Sequence, residues 1–330
     1  MNIRILKPGL LSTLQDMGRR YFLSQGVPLS GSMDTLSARV ANKAVGNDDD
    51  AAVIEFTYAD AQFKAETDLL IAYAGDGAKL IAGEQKLPAE RPLFIPAGSI
   101  IELINNSAGS HTYLSIAGGW DVPEILGSKS TYITAAFGGL EGRPFRAGDV
   151  LNSADPLTEL SAKILESLGG AQISYPEWSI PRQLLLPSER KNIRVMRGPE
   201  FTWFESTSIV DFFSTPYTLS RQSNRMGYHL EGAVIRRTKT DELLSTAVTP
   251  GTIQVAGGGS MVLLMADCQT TGGYPRIAQV AAVDLPLCGQ LKPGDSINFK
   301  GISRQDAEKL YLEGEQHLHK LSIAIKNRYL

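Results

Sequence analysis

Residues 261–283 of the sequence read MVLLMADCQTTGGYPRIAQVAAV. Two apolar runs, at residues 261–265 and 277–283, flank a polar, glycine-rich segment at residues 266–276. Apolar runs of this length, bounded by turn-forming residues, are typical of buried strands. The segment between them is longer than the roughly two to five residues of a plain hairpin loop. The stretch therefore predicts two core strands joined by an elaborated polar crossing.

The polar crossing carries residue types suited to binding a small polar anion. It combines an acid, an amide, hydroxyls and an arginine, and Gly272 and Gly273 free the backbone to bring its amides close to a ligand. The alternative is a wide turn whose polar side chains satisfy its own backbone. The loop chemistry alone leaves both interpretations open.

A second chemical stretch, SRQSNRMGYH, lies at residues 220–229. It packs two arginines, two amides and a histidine around a glycine, and arginine offers bidentate geometry to a carboxylate or phosphate. The alternative is a solvated surface loop. The residues alone therefore predict an anion-suited pocket in the second half of the chain, lined by side chains from both stretches.

A second candidate pocket precedes the clearest helix of the first half. Residues 26–33 form a loop of turn formers, and Asp34 is placed to cap a helix that Gly46 ends. Ser30 and Ser32 would then lie at a helix N-terminus, where an anion is favoured. The local pattern favours the plainer alternative, in which Asp34 is an N-cap and nothing more.

The composition excludes several classes of protein. A length of 330 residues predicts two domains or one large one, and a net charge of −3 provides no basic groove for nucleic acid. No apolar run is long enough to span a bilayer, and the N-terminus lacks a signal-peptide core. Cys268 and Cys288 form neither a disulfide framework nor a zinc spacing. We therefore expect a cytoplasmic protein with no metal site, no membrane association and no nucleic-acid partner.

The order of the segments predicts a mainly β protein with a few helices that arose by duplication. Short strands separated by turns fill the first half, which favours a barrel or sandwich over a doubly wound sheet. Residues 192–199 echo residues 2–9, and residues 292–299 echo residues 95–103 in the same order. In this scheme Asp76 and Asp267 occupy equivalent loops.

The same order predicts the domain limits. A first β-barrel domain covers residues 1–155, and a helix that opens at Asp155 and Pro156 leads into a proline-containing linker ending at residue 190. A second β-barrel domain with a terminal helix covers residues 191–330. Ser303 and Asp306 form the capping-box pattern that begins the terminal helix.

Five stretches of the chain match the motifs of one known family. They are STLQDMGR at residues 12–19, GVPLSGSMD at 26–34, ANKAVGN at 41–47, SNRMGY at 223–228 and DCQTTGGYPR at 267–276. Together they resemble the Kip-type biotin-dependent carboxyltransferase family, also labelled allophanate hydrolase subunit 2, which includes the C subunit of the bacterial ATP-dependent 5-oxoprolinase. The resemblance extends over almost the full chain and implies two cyclophilin-like β-barrels.

The resemblance also implies an activity. With a Kip-inhibitor-like partner, the B subunit of such complexes, the chain would activate 5-oxoproline by ATP-dependent phosphorylation of the lactam oxygen. A third, ring-opening A subunit would then complete hydrolysis to glutamate. ATP with Mg²⁺ is the expected cofactor, and the chemistry would consist of positioning and charge stabilisation.

Roles for individual residues follow from this hypothesis. One of the three arginines would hold the substrate carboxylate or a phosphate, the amides of Gly272 and Gly273 would cradle negative charge, and Asp267 would orient a proton or a metal-bound phosphate. Replacing Asp267 or Arg276 by alanine is expected to cut activity strongly and leave the fold intact. The predicted catalytic residues are Asp267, Thr270, Thr271 and Arg276, and the predicted substrate-binding residues are Arg221, Asn224, Arg225, Gln269, Gly272, Gly273 and Tyr274.

Two alternatives remain open. In the first, the chain is a carboxyltransferase subunit that moves a carboxyl group from carboxybiotin, carried on another protein, to urea or a similar small amide. Biotin would be a cofactor only in that case. In the second, the chain is a regulatory module that binds a Kip-type inhibitor of a sensor kinase. An ATP-consuming reaction without biotin separates the oxoprolinase from the carboxyltransferase, and tight partner binding without turnover favours the regulator.

Overall fold

The computed structural model of the protein describes residues 1–186, 190–239 and 243–330. Within these residues the regular structure is twenty strands and five α-helices, so the predicted mainly β fold is confirmed. The chain divides into two compact units. The first comprises Met1–Gly18, Ser30–Leu185 and Gln316–Leu330, and the second comprises Arg19–Leu29 and Leu186–Glu315. Each unit thus includes a segment remote in sequence from the rest of it, whereas the predicted domains were continuous stretches.

The first unit contains eleven strands and two complete helices. In chain order they are β1 (Asn2–Pro8), β2 (Leu11–Gln15), α1 (Thr35–Ala44), β3 (Val53–Thr57), β4 (Ala61–Ala65), β5 (Leu69–Gly75), β6 (Ala78–Ala82), β7 (Gln85–Lys86), β8 (Leu93–Ile95), β9 (Ile100–Asn105), β10 (His111–Ile116), β11 (Val150–Asn152) and α2 (Glu159–Leu168).

These strands form two sheets around one core. One sheet has the order β11-β1-β4-β9-β6-β7 and the other has the order β2-β3-β10-β5-β8. Alternating residues of the two sheets meet in a single cluster that includes Ile5 and Phe63 from the first sheet and Ile54 and Leu114 from the second. Strands β1 and β9 of the first sheet alternate buried and more exposed residues, as predicted, whereas β5 and β10 of the second sheet are buried on both faces.

The helix boundaries of this unit follow from their caps. Asp34 Oδ1 accepts a hydrogen bond of 2.9 Å from the backbone N–H of Ser37, which fixes the start of α1. The predicted start of α2 at Pro156 is wrong, because Thr158 is the residue that caps it. Its Oγ1 accepts from the N–H of Ser161 at 3.0 Å and satisfies an N–H group of the first turn.

The second unit contains nine strands and three helices, the last of which begins here and ends in the first unit. In chain order they are β12 (Asn192–Arg197), α3 (Ser206–Ser214), β13 (Tyr217–Leu219), β14 (Gly227–Glu231), β15 (Thr246–Ala247), β16 (Thr252–Val255), β17 (Met261–Leu264), β18 (Thr271–Gly272), β19 (Arg276–Val280), α4 (Leu285–Gly289), β20 (Ser296–Gly301) and α5 (Arg304–Tyr329).

Seven of these strands form a closed barrel in the order β12-β19-β16-β17-β14-β13-β20. The barrel closes through parallel pairing of its first and last strands, from Asn192 opposite Asn298 to Val195 opposite Gly301. Helix α3 contributes Phe212 to the core, where its ring stacks on Phe299 with a centroid distance of 4.7 Å. The predicted β-barrel of the second half is therefore present.

The two apolar runs on either side of the polar crossing form β17 and β19. They are not neighbours, because β16 pairs with both of them. The crossing between them contains a short strand of its own, β18, which pairs with β15 through Thr246 opposite Gly272 and Ala247 opposite Thr271. The crossing is elaborated, as predicted, and its backbone is anchored outside the barrel.

Candidate functional site

The structure brings the two predicted chemical stretches together beside the barrel. The backbone N–H of Asp267 donates to the carbonyl of Arg225 at 2.9 Å, and the N–H of Met265 donates to the carbonyl of Met226 at 3.1 Å. The loop between β13 and β14 therefore lies against the start of the crossing. Residues about forty positions apart in the sequence form one polar region.

The centre of this contact is a buried ion pair. The Nε of Arg225 donates to Oδ2 of Asp267 at 2.8 Å, and Nη2 lies 3.3 Å from Oδ1. Only 8% of Arg225 and 5% of Asp267 is exposed to solvent. Each charge is therefore matched by the other within the protein, and the pair ties the β13–β14 loop to the crossing.

A second ion pair joins the crossing to the turn after β12. The Nε and Nη2 of Arg276 donate to Oε2 and Oε1 of Glu200 at 2.8 and 2.7 Å, and Nη1 donates to the carbonyl of Ala247 at 3.0 Å. Burial raises the pKa of Glu200, but the hydrogen bonds from Arg276 outweigh it and hold that pKa below its usual value. The same contact raises the pKa of Arg276.

Glu200 is a residue of the site that was not predicted from the sequence. It follows Gly198 and Pro199, and it lies 76 positions before its partner Arg276. The local pattern at Glu200 is that of an ordinary turn, since nothing in it indicates a distant cation. The close approach is visible only in space, where a Cβ on Gly198 would lie 2.1 Å from the carbonyl oxygen of Arg276.

Gln254 supports the crossing from inside β16 and was not predicted either. It is 2% exposed, its Nε2 donates to the carbonyl of Tyr274 at 3.3 Å, and its Oε1 accepts from Gln269 at 3.4 Å. A Cβ on Gly272 would lie 2.5 Å from Gln254 Nε2, so a larger residue at this position would displace the Gln254 amide. A lone amide within the apolar strand at residues 252–255 was the signal that could have identified it.

Several predicted site residues remain open to solvent. Gln269, Thr271 and Gly273 are exposed, as is Tyr274, with 54% of its surface accessible. Thr270 is partly buried, and its carbonyl accepts from the N–H of Val248 at 3.0 Å. The crossing therefore offers the amide of Gln269, the hydroxyl of Thr271 and the phenol of Tyr274 to a ligand. Two ion pairs anchor the ends of the crossing that carries these groups.

The three candidate arginines differ in whether a carboxylate of the chain pairs with them. Arg225 and Arg276 each pair with a carboxylate, whereas exposed Arg221 has no ion pair within the described ranges 1–186, 190–239 and 243–330. Asn224 closes the loop that carries Arg221, since its Oδ1 accepts from the N–H of Met226 at 2.8 Å. Arg221 is thus the candidate arginine whose charge is left for an anion.

The second candidate pocket, formed by Ser30, Ser32 and Asp34, lies in the first unit. Asp34 is fully buried and caps α1, as predicted, and whether it does anything more stays open as a prediction. Ser30 and Ser32 are buried too, and within the described parts of the chain neither side-chain hydroxyl has a hydrogen-bond partner. Their role in binding an anion stays a prediction.

The two aspartates predicted to be equivalent have the same kind of partner. Asp76, directly after β5, accepts from Arg182 Nη2 at 2.6 Å, just as Asp267, after β17, accepts from Arg225. Arg182 is 1% exposed and also donates to Glu90 at 2.8 Å. Each unit therefore buries an aspartate–arginine pair near the end of a core strand, but Arg182 follows its aspartate in the sequence and Arg225 precedes its own, so the duplication stays a prediction.

The two cysteines are buried, and their thiols have raised pKa values. Burial and the neighbouring Asp267 raise the pKa of the Cys268 thiol to about 12, and burial also raises the pKa of Cys288. Across the described residues, no three histidine, cysteine, aspartate or glutamate side chains are grouped as in a metal site. In the same part of the chain, no helix is both long and apolar enough to cross a membrane.

Comparison with known proteins adds a family to this geometry. The family profile described as "Carboxyltransferase domain, subdomain A and B" matches residues 25–301. The chain is 34% identical to the C subunit of 5-oxoprolinase from Escherichia coli K12, over 98% of this chain and 99% of that protein. It is 32% identical to urea amidolyase of Lachancea kluyveri, where the match covers 93% of this chain and 17% of that protein.

A solved structure shows the same architecture. The crystal structure of Kluyveromyces lactis urea carboxylase matches with a TM-score of 0.86 and 29% sequence identity, covering 97% of this chain and 29% of that one. The chain thus matches about a third of that larger protein and nearly the full length of the bacterial relative. On the profile match and the full-length identity, the chain belongs to the family of the carboxyltransferase domain, subdomains A and B.

Proposed function

We propose that the chain is a subunit of an ATP-dependent 5-oxoprolinase that activates 5-oxoproline for hydrolysis to glutamate. The observation that carries this proposal is the end-to-end match to the C subunit of a 5-oxoprolinase, which covers 98% of this chain and 99% of the relative. A match that leaves almost none of the relative uncovered supports an equivalent role as a subunit. The proposed partners are two further subunits, one Kip-inhibitor-like and one ring-opening.

The proposed chemistry overcomes the poor reactivity of a lactam. The lactam oxygen forms a bond to the γ-phosphorus of ATP while the bond to ADP breaks. A first water then adds to the ring carbon, and the C–N bond breaks as the nitrogen takes up a proton from that water and leaves as the amino group. A second water releases phosphate from the resulting acyl phosphate and leaves glutamate. ATP enters as a substrate, with Mg²⁺ bound to its phosphates.

The charges of the site suggest how the substrate would be held. Arg225 and Arg276 are already neutralised by Asp267 and Glu200, so the substrate carboxylate would bind Arg221. The exposed groups of the crossing would contact the lactam, and the two buried ion pairs would hold those groups in place. In this proposal Asp267 acts by positioning the crossing through Arg225.

Arg221→Gln tests the carboxylate contact. Losing one charge-assisted hydrogen bond should weaken 5-oxoproline binding by about 1.5–3 kcal/mol, which raises KM more than tenfold and changes kcat less. Arg236→Gln is the matched control, because Arg236 is another exposed arginine of the second unit, outside the crossing and its adjoining loop. Equal KM values for the two variants would remove Arg221 from the site.

The overall proposal is tested by ADP release from the chain mixed with both partner subunits, with and without 5-oxoproline. Release that requires 5-oxoproline and all three proteins, with glutamate formed in equal amount, is the expected result. A complex that assembles and releases no ADP would overturn the oxoprolinase proposal.

A second candidate function has structural support of its own. The match to urea carboxylase, with a TM-score of 0.86, favours a carboxyltransferase subunit that accepts a carboxyl group from carboxybiotin on another protein and passes it to urea or a similar amide. Here the exposed amide of Gln269 and the hydroxyl of Thr271 would bind the acceptor amide. Turnover that depends on a biotin carrier and consumes no ATP in this complex would select this function.

A further inference from the structure

The second unit contains a cavity that shares no residue with the crossing. It has a volume of about 530 Å³ and opens where the parallel strands β12 and β20 end. Its apolar lining is provided by Phe213 of α3 and Ile302, which are partly exposed, with Val195 and Phe299 almost fully buried beneath the surface. A cavity of this volume is within the size range of sites that hold small organic molecules.

Two cations stand at the mouth of this cavity. Arg197 and Lys300 both line it, both are exposed, and neither makes an ion pair with any residue in the ranges the structure describes. The guanidinium of Arg197 lies 4.9 Å from the centre of the Phe201 ring, a cation–π contact that orients it. An apolar pocket with unmatched positive charge at its rim suits a molecule with an apolar body and an anionic head.

The start of α5 contributes to the same mouth. Ser303 lines the cavity and caps this 26-residue helix, so the positive end of the helix dipole faces the rim. The nearest acid of the first turn, Asp306, accepts a hydrogen bond from the Ser303 hydroxyl at 2.7 Å. Counting Arg197, Lys300 and Asp306 together, a net positive charge remains at the mouth.

From the coincidence of these features we infer that the cavity is a second ligand site, which takes a small carboxylate or phosphate carried on an apolar or aromatic body. The apolar body lies against Phe213 and Ile302, and the anionic head lies between Arg197 and Lys300. The site is independent of the proposed oxoprolinase reaction, since it uses none of the residues of the crossing.

The test uses two probes of nearly the same shape, anionic 2-naphthoate and neutral 2-naphthamide. Isothermal titration calorimetry of the full chain should show one saturable site for 2-naphthoate and binding at least fivefold weaker for 2-naphthamide. Raising the salt concentration should weaken naphthoate binding, because exposed charges are screened over about 8 Å at physiological ionic strength.

Variants place the probe in the cavity. Arg197→Gln and Lys300→Gln should each raise the Kd of naphthoate about fivefold, the upper end for an exposed charge contact. Arg236→Gln, an exposed arginine of the same unit that does not line the cavity, should leave the Kd unchanged. Gly301→Ala tests the apolar part, since the added Cβ would lie 3.8 Å from the Phe213 ring and narrow the cavity without strain.

Binding of naphthoate that weakens in Arg197→Gln, Lys300→Gln and Gly301→Ala, but not in Arg236→Gln, supports the site. Equal affinity for naphthoate and naphthamide, or equal effects of the Arg197 and Arg236 substitutions, overturns it. Failure of the wild-type protein to bind naphthoate overturns it as well. Circular dichroism of each variant checks that the barrel has folded, and Gly301→Ala carries the test if a charge variant fails to fold.

Discussion

Removing the carboxylate of Asp267 should destabilise the second unit and not only reduce activity. The Asp267→Ala variant leaves Arg225 buried, with 8% exposure and without the acceptor that now lies 2.8 Å from its Nε. Two unit charges about 4 Å apart interact by about 4 kcal/mol at an effective dielectric constant of 20. Breaking a buried pair by removing one partner typically costs about 3–5 kcal/mol, so we expect a loss of that size.

The assay is urea unfolding followed by near-ultraviolet circular dichroism, with Glu308→Ala as the control. Glu308 pairs with Arg304 on the surface of α5, where the two side chains are 59% and 81% exposed, and its loss should change stability by less than about 0.5 kcal/mol. The double variant Arg225→Met/Asp267→Leu should recover much of the loss, since no charge is then left unpaired. An Asp267→Ala protein with the unfolding midpoint of the wild type would refute the reasoning and restore the expectation of an intact fold.

Three further predictions concern the same unit. The pKa of Glu200 in the folded protein is held below its unfolded value of about 4.3, so its ion pair should stabilise the protein fully above about pH 4.3. That stabilisation should be lost as the pH falls through the lower folded pKa. In urea unfolding from pH 7 to pH 3, the stability difference between wild type and Glu200→Gln should therefore shrink. Gly198→Ala should lower stability by at least about 1–3 kcal/mol, because its Cβ would lie 2.1 Å from the carbonyl oxygen of Arg276, whereas Gly258→Ala, with no atom within 4 Å of its Cβ, should be neutral. Cys268, whose pKa burial and Asp267 raise to about 12, should resist a thiol reagent at pH 8 until the protein is unfolded, and rapid labelling of the native protein would contradict this.

The fold could be predicted where residues close together in the sequence determine the local structure. The runs that became β17 and β19 are apolar because both are buried in a barrel wall, and Asp34 and Ser303 cap helices through hydrogen bonds that span three residues. The start of α2 was misplaced for a local reason as well. A proline and a threonine two residues apart each fit a helix start, and the hydrogen bond from Ser161 to Thr158 decides between them.

The candidate site could be predicted only in part, because its ion pairs join residues that lie far apart in the sequence. The polar crossing and the β13–β14 loop could each be recognised, yet their charge state depends on partners 42 and 76 positions away. The sequence shows that Arg276 is present, but not that its guanidinium already pairs with the carboxylate of Glu200. Exposed Arg221 emerged as the available arginine only after the other two had been paired in space.

Closure of the barrel by β12 and β20 has a consequence for how the protein is made. Asn192 meets Asn298, so the first strand of the second unit cannot complete its pairing until more than a hundred further residues have been synthesised. Such long-range contacts slow folding, and a chain stopped before Ser296 would expose a strand edge open to association with other chains. The barrel can therefore close only after β20 has been synthesised.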